Sequence, residues 1–212
     1  MSGNFNVDPA DYSRPIRIYA DVDGVLSPFF RTLKDETNHK PVQLIMVNEW
    51  KAGRIITSPM HFQWHEFAAR KYVEWSKHSL IDFVWLTSWR DNAPQSLDPL
   101  LGVESLGSLP WSNKMSDYNQ SFKKHAIEED QADNPSRFIW LDDMANKIRY
   151  GQPLFADWDN EVEDENGELT QDELIPASQY LSITTDMYDG LTVDDAARVD
   201  AFIASVALEC NK

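Results

Sequence analysis

Two carboxylates one residue apart, Asp21 and Asp23, stand at the end of an apolar run and are followed by Gly24. Like charges this close raise each other's pKa unless an opposite charge sits near them. A second acidic pair, Asp142 and Asp143, closes the apolar run Phe138 to Leu141, and Thr87-Ser88 closes a third, Ile81 to Leu86. In open α/β sheets ligands sit beyond the carboxyl ends of the strands. Four aspartates gathered there would be untenable without a cation, and their oxygens suit a hard ion such as Mg²⁺. The pattern therefore predicts a Mg²⁺ site and, through the metal, a bound phosphate.

Two other metal-like patterns do not hold up. His61 and His65 fall four apart on an expected helix, as zinc ligands can, but the intervening glutamate is missing and no third ligand offers itself. Asp164 to Leu169 with Glu173 echoes a calcium loop, yet its first ligand position falls on Val162 and no amphipathic helix enters it.

The elements that must carry the acidic groups can be read from periodicity. Ile16 to Ala20 is β-branched and aromatic and reads as a short buried strand; Ile81 to Leu86 and Phe138 to Leu141 are near-continuous apolar runs, as in strands covered on both faces. Val42 to Val47 and Arg54 to Thr57 are β-prone around a Lys51-Ala52-Gly53 turn, which predicts a hairpin. From Ser58 and Pro59 the spacing of Trp64, Ala68, Tyr72 and Trp75 predicts a helix ending near Lys77-His78, with Ser58 as its cap. Helices are expected over Pro94 to Leu101, over Phe122 to Glu129, and from a Thr192 cap through Val199, Phe202 and Val206; a last strand covers Tyr180 to Ile183. Strands alternating with helices define an α/β class with a parallel sheet.

The chain of 212 residues is expected to form one domain over residues 15–212, after a flexible leader at 1–14. Within it, 27–57 forms a flap region and the acidic stretch 157–173 reads as a solvated loop. No apolar run approaches the roughly 20 residues needed to cross a bilayer, the first residues lack the pattern of a secretory signal, and the single Cys210 excludes an internal disulfide framework. A cytoplasmic setting is the expectation, with no obligate protein partner. A net charge of -16 argues against a broadly basic surface, so contact with any nucleic acid must be local or metal-assisted.

The ordered set resembles the haloacid dehalogenase-like (HAD) phosphohydrolase superfamily. Asp21-Val22-Asp23-Gly24-Val25-Leu26 matches its first motif, Leu86-Thr87-Ser88 its second, the lysine opening Phe122 to Ile127 its third, and Leu141-Asp142-Asp143 its fourth. The resemblance implies a Rossmann-like sheet flanked by helices and a Mg²⁺-dependent phosphomonoesterase working through an aspartyl-phosphate. Asp21 would be the nucleophile and Asp23 the general acid and base. Thr87 would bind a phosphoryl oxygen, and Lys123 would neutralise charge on the transferred group. Asp21, Asp23 through its carbonyl, Asp142 and Asp143 would complete the metal site, with the direct ligand of the last two left open. Lys124 is the rival to Lys123, which is preferred because Ala126 and Ile127 follow it three and four residues on.

Such enzymes commonly take their specificity from cap domains. Residues 27–80 hold only the hairpin and one helix, and 89–121 are too short and turn-rich for a folded lid, so no large cap is expected and the site should be open. Gly24, Ser88, Trp89 and Arg90 are the candidate substrate contacts; Trp89, Arg90 and Asn92 could stack on a base or hold a second phosphate, unless Trp89 simply packs. Trp50 at the hairpin tip is a candidate lid contact. Trp85 to Arg90 and Ile139 to Asp143 are similar to HAD domains of RNA repair proteins, which implies a phosphorylated substrate, a small molecule or a nucleic-acid end. The alternatives are a small-nucleotide phosphatase and a HAD-fold binding module without turnover.

Overall fold

The computed structural model describes residues 13–29, 42–51, 54–110, 121–143, 145 and 179–210. Four parallel strands form one sheet in the order β4-β1-β5-β6, with β1 at Ile16–Ala20, β4 at Ile81–Trp85, β5 at Arg137–Asp142 and β6 at Tyr180–Thr184. A separate two-stranded hairpin pairs β2, Val42–Lys51, with β3, Arg54–Gln63. The helices are α1 at Glu66–Ser76, α2 at Asp98–Leu101 behind a π-helical turn at Ala93–Leu97, α3 at Ser121–Asp133 and α4 at Val193–Cys210. This is the α/β architecture expected from the apolar runs.

Both sheet faces are covered, and the two-residue period of the strands sorts the layers. Ile16, Ile18 and Ala20 of β1 share one core with Tyr72 and Trp75 of α1 and with Val199, Ile203 and Val206 of α4. Tyr19, Val84, Phe138 and Trp140 point to the opposite face, against Ala126 and Ile127 of α3. Every residue of β1 is buried, which explains why it reads as a continuous apolar run rather than an alternation. The exception is Arg17, whose guanidinium meets the Asp130 carboxylate of α3 at 2.9 Å. The Tyr19 hydroxyl also donates to Asp130, and Gln131 donates to the Tyr19 oxygen at 2.8 Å. Burial first, and then Asp130, hold this phenol above its ordinary range. The network ties α3 to the strand that delivers Asp21.

Asp82, an acidic residue within the buried run of β4, is satisfied from the end of the expected leader. The backbone N–H groups of Ser13 and Arg14 both donate to its Oδ2 at 2.9 Å. Thr192 caps α4 as expected: its Oγ1 accepts from the Asp195 N–H at 3.2 Å, and Asp195 accepts in return from the Thr192 N–H at 3.2 Å.

One element differs from the expectation. No helix starts at Ser58-Pro59; β3 continues through both to Gln63, and α1 begins at Glu66. Proline survives there because the ribbon does not need its N–H. Pro59 lies opposite Met46, whose carbonyl accepts from the Ser96 hydroxyl at 3.0 Å, and two residues on the N–H and carbonyl of Asn48 both turn outward to the Asn92 amide. The pair is therefore a non-hydrogen-bonded one, the position in a ladder where proline removes nothing. His61 accordingly lies on β3 and His65 just before α1, so the two do not share a helix face. The side chain of Trp50, the loop 157–173 and residues 1–12 of the leader lie outside the described residues.

Candidate active site

Strand register brings the acidic pairs together. Ala20 at the end of β1 pairs with Leu141 of β5 on one side and with Trp85 of β4 on the other, so Asp21 falls beside Asp142 and close to the Leu86-Thr87 exit. The Asp21 N–H donates to the Leu141 carbonyl at 3.0 Å, and the Leu86 N–H donates to the Ala20 carbonyl at 2.9 Å. Carboxylate oxygens of Asp21, Asp142 and Asp143 all lie within 4.8 Å of one another. Lys123 of α3, almost fully buried, donates its ammonium to Asp21 Oδ2 and, at 2.7 Å, to Asp142 Oδ2.

The electrostatics follow from burial. Asp21 is pushed up to about 7, chiefly by loss of water, with Lys123 pulling down and Asp142 pushing up. Asp143 is pushed up to about 6, again by burial first and then by Asp142. Burial opposes the charge on Lys123, but the Asp21 and Asp142 carboxylates outweigh it and hold the ammonium above its ordinary range. One lysine is thus set against three clustered carboxylates, a surplus of hard oxygen donors that fits a divalent ion of the Mg²⁺ type.

The turn after Asp21 is held from several sides. Gly24 adopts φ +71°, and a Cβ on it would meet the Asp143 side chain at 2.6 Å. Glycine is needed there both for the left-handed conformation and for the close approach of Asp143. The Thr185 hydroxyl donates to the Gly24 carbonyl at 2.7 Å, and the Tyr72 hydroxyl donates to the Asp21 carbonyl at 2.9 Å. Trp140 donates its indole N–H to Asp142 Oδ2 at 3.2 Å.

The predicted residues divide into two groups. Asp21, Lys123, Asp142 and Asp143 meet directly. Asp23 and the β4 exit form the second group: the Trp89 indole donates to Asp23 Oδ2 at 3.0 Å, and the Trp89 N–H donates to Thr87 Oγ1 at 3.3 Å. Burial raises Asp23, opposed by hydrogen bonds from Trp89 and Ser88 and by the Lys123 charge. Trp89 is packed edge-on against Phe62 of the hairpin, with ring centroids 5.1 Å apart, so it serves as a packed partner rather than an open stacking platform. Ser88 and Arg90 are exposed, and Arg90 holds φ 49°, a conformation that costs a side-chain-bearing residue energy and is concentrated at functional loops. Asn92 is committed elsewhere: its amide accepts from the Asn48 N–H at 2.8 Å and donates to the Asn48 carbonyl at 2.9 Å, docking β2 on the loop after β4.

The supporting residues Tyr72, Trp140 and Thr185 were not singled out from sequence. Thr185 carries the one available signal, since it follows β6 as Thr87 follows β4 and the same strand-end rule reaches it.

Comparison with known proteins places this architecture. The family described as the HAD domain in Swiss Army Knife RNA repair proteins matches residues 17–196, and the chain belongs to it. No curated protein and no solved structure matches the chain. Membership in a HAD family points to phosphohydrolase chemistry, and the acidic group has the donor set to hold a metal. Among the described residues no helix is long and apolar enough to cross a membrane.

Proposed function

We propose that the protein is a Mg²⁺-dependent phosphomonoesterase that works through an aspartyl-phosphate on Asp21 and acts on phosphorylated nucleic-acid ends. The observation that carries the reading is the convergence of Asp21, Asp142 and Asp143 within 4.8 Å, with Lys123 bridging two of them. Asp21, Asp142, Asp143 and the Asp23 carbonyl are the groups to hold Mg²⁺, which when bound neutralises charge on the phosphoryl oxygens.

The chain's own residues supply the rest. A carboxylate oxygen of Asp21 attacks phosphorus, forming the new P–O bond as the bond to the leaving oxygen breaks. Asp23, a carboxyl that burial raises, gives its proton to that leaving oxygen and then takes one from the water that hydrolyses the acyl phosphate. Lys123 keeps Asp21 oriented and offsets charge on the transferred group, while the Thr87 hydroxyl donates to a phosphoryl oxygen. Arg90, exposed three residues after Thr87, would meet a second phosphate of an extended substrate. The family's description as a domain of RNA repair proteins supports a nucleic-acid end over a free nucleotide.

The test is Mg²⁺-dependent release of phosphate from 4-nitrophenyl phosphate, from mononucleotides and from phosphorylated oligonucleotides. The proposal expects oligonucleotide ends to give the highest kcat/KM and Asp21→Asn to abolish all three activities. Full activity in Asp21→Asn overturns the mechanism, and a preference for mononucleotides overturns the substrate.

A further inference from the structure

Asp23 is held by a residue that the phosphohydrolase reading does not require. The indole N–H of Trp89 donates to Asp23 Oδ2 at 3.0 Å. An indole N–H can only donate, so it pins the Asp23 carboxyl by one of its two oxygens, and Ser88 adds a second side-chain hydrogen bond to the same group. Trp89 is itself fixed twice: its backbone N–H is spent on Thr87 Oγ1 at 3.3 Å, and its ring meets Phe62 of β3 at 5.1 Å and 72°. Phe62 is buried and stacked on Trp64 at 5.5 Å, so the clamp belongs to the core and not to a loose surface contact. The hairpin that carries it is anchored at its other strand by the Asn92 amide on Asn48 and the Ser96 hydroxyl on Met46.

We infer that Trp89 is a positioning residue for the general acid: its indole N–H holds the Asp23 carboxyl in one orientation, and through Phe62 it makes the hairpin a working part of the acid–base apparatus. The inference rests on the reading of Asp23 as that acid. In the step concerned, a P–O bond forms to Asp21, the P–O bond to the leaving group breaks, and the proton of the Asp23 carboxyl passes to the departing oxygen. Misorientation of Asp23 harms this step in proportion to how much the leaving group needs its proton. A dinitrophenolate departs without help, whereas an alkoxide does not.

The experiment compares kcat/KM for 2,4-dinitrophenyl phosphate with that for a simple alkyl phosphate, with Mg²⁺ present, in the parent protein, Trp89→Phe, Phe62→Leu and Asp23→Asn. Trp89→Phe keeps an aromatic ring for Phe62 to meet and removes the N–H, together with part of the indole's bulk. Its alkyl-to-aryl ratio is expected to fall by about 10- to 100-fold, the range for loss of part of a general acid's contribution, with Asp23→Asn falling at least as far and Phe62→Leu by less. The ratio is taken on one preparation, so a fraction of misfolded protein cancels from it. An unchanged ratio in Trp89→Phe, or equal losses on both substrates, overturns the positioning role. Failure of the underlying reading shows differently, as a parent with no Asp21-dependent turnover of either phosphate or an Asp23→Asn variant with an unchanged ratio.

Discussion

Lys123→Met removes the only cation that touches both Asp21 and Asp142 among the described residues, and it leaves the shape of the side chain nearly intact. Methionine is unbranched and fills the same channel, so little cavity cost is added. At 2.7 Å and an effective dielectric of about 20, one ammonium–carboxylate contact amounts to about 6 kcal/mol of Coulomb attraction. Desolvation of the ammonium takes back several kcal/mol, and breaking a buried pair from one side leaves a net loss of about 3–5 kcal/mol. Burial already pushes Asp21 up to about 7 with Lys123 present; without it the carboxyl rises further. The loss should therefore be largest at about pH 8, where the parent's Asp21 is ionised and the variant's must take up a proton or keep an uncompensated charge, and smaller at about pH 5, where the carboxyl holds a proton in both. Urea unfolding in EDTA at the two pH values reads this directly. Mg²⁺ should return part of the loss at the higher pH by binding only the folded state. A loss below about 1 kcal/mol at about pH 8 without metal would refute the claim that Lys123 neutralises the acidic pair.

Gly24→Ala forces a side chain into a left-handed turn and places a Cβ 2.6 Å from the Asp143 Cβ. A stability loss of about 1–2 kcal/mol and a Mg²⁺ affinity at least about 10-fold weaker, by titration calorimetry, are expected as Asp143 is displaced; unchanged affinity would contradict the placement of Asp143 at the metal. Asp130→Asn removes the charge facing Arg17, and because that guanidinium stays buried the loss is expected to be about 3–5 kcal/mol by urea midpoint. For the parent without metal, Asp21 and Asp143 are both raised above their unfolded value of 3.8. Their contribution to stability is full below about pH 4 and lost as pH rises through about 6 to 7, so the gain in urea midpoint on adding Mg²⁺ should be larger at about pH 8 than at about pH 5. An equal gain at both pH values would contradict the shared metal site.

Much of this site was legible because buried parallel strands announce themselves. Ile16 to Ala20, Ile81 to Leu86 and Phe138 to Leu141 are apolar but for Arg17 and Asp82, and each is followed by residues too polar to be core, so the strand ends and the candidate site residues were read from the same few positions. Lys123 was separable from Lys124 because Ala126 and Ile127 define a buried face, and Lys123 does lie on it. The extent of the hairpin was not legible. Ser58-Pro59 has the local signature of a helix start, and what overrides it is a ladder to Met46 and Val47, fixed by tertiary pairing. The role of Trp89 was hidden for the same reason, since a Trp after Thr87 reads equally as packing or stacking until Phe62 and Asp23 are brought to it across the fold.

The central claim is that Asp21 itself carries the phosphoryl group in turnover. Acid quench of the Mg²⁺-loaded protein with phosphorus-labelled 4-nitrophenyl phosphate, followed by peptide mapping, should place a hydroxylamine-labile label on the peptide holding Asp21, and Asp21→Asn should abolish it. Steady turnover with no label on that peptide, or with label on another residue, would contradict the account.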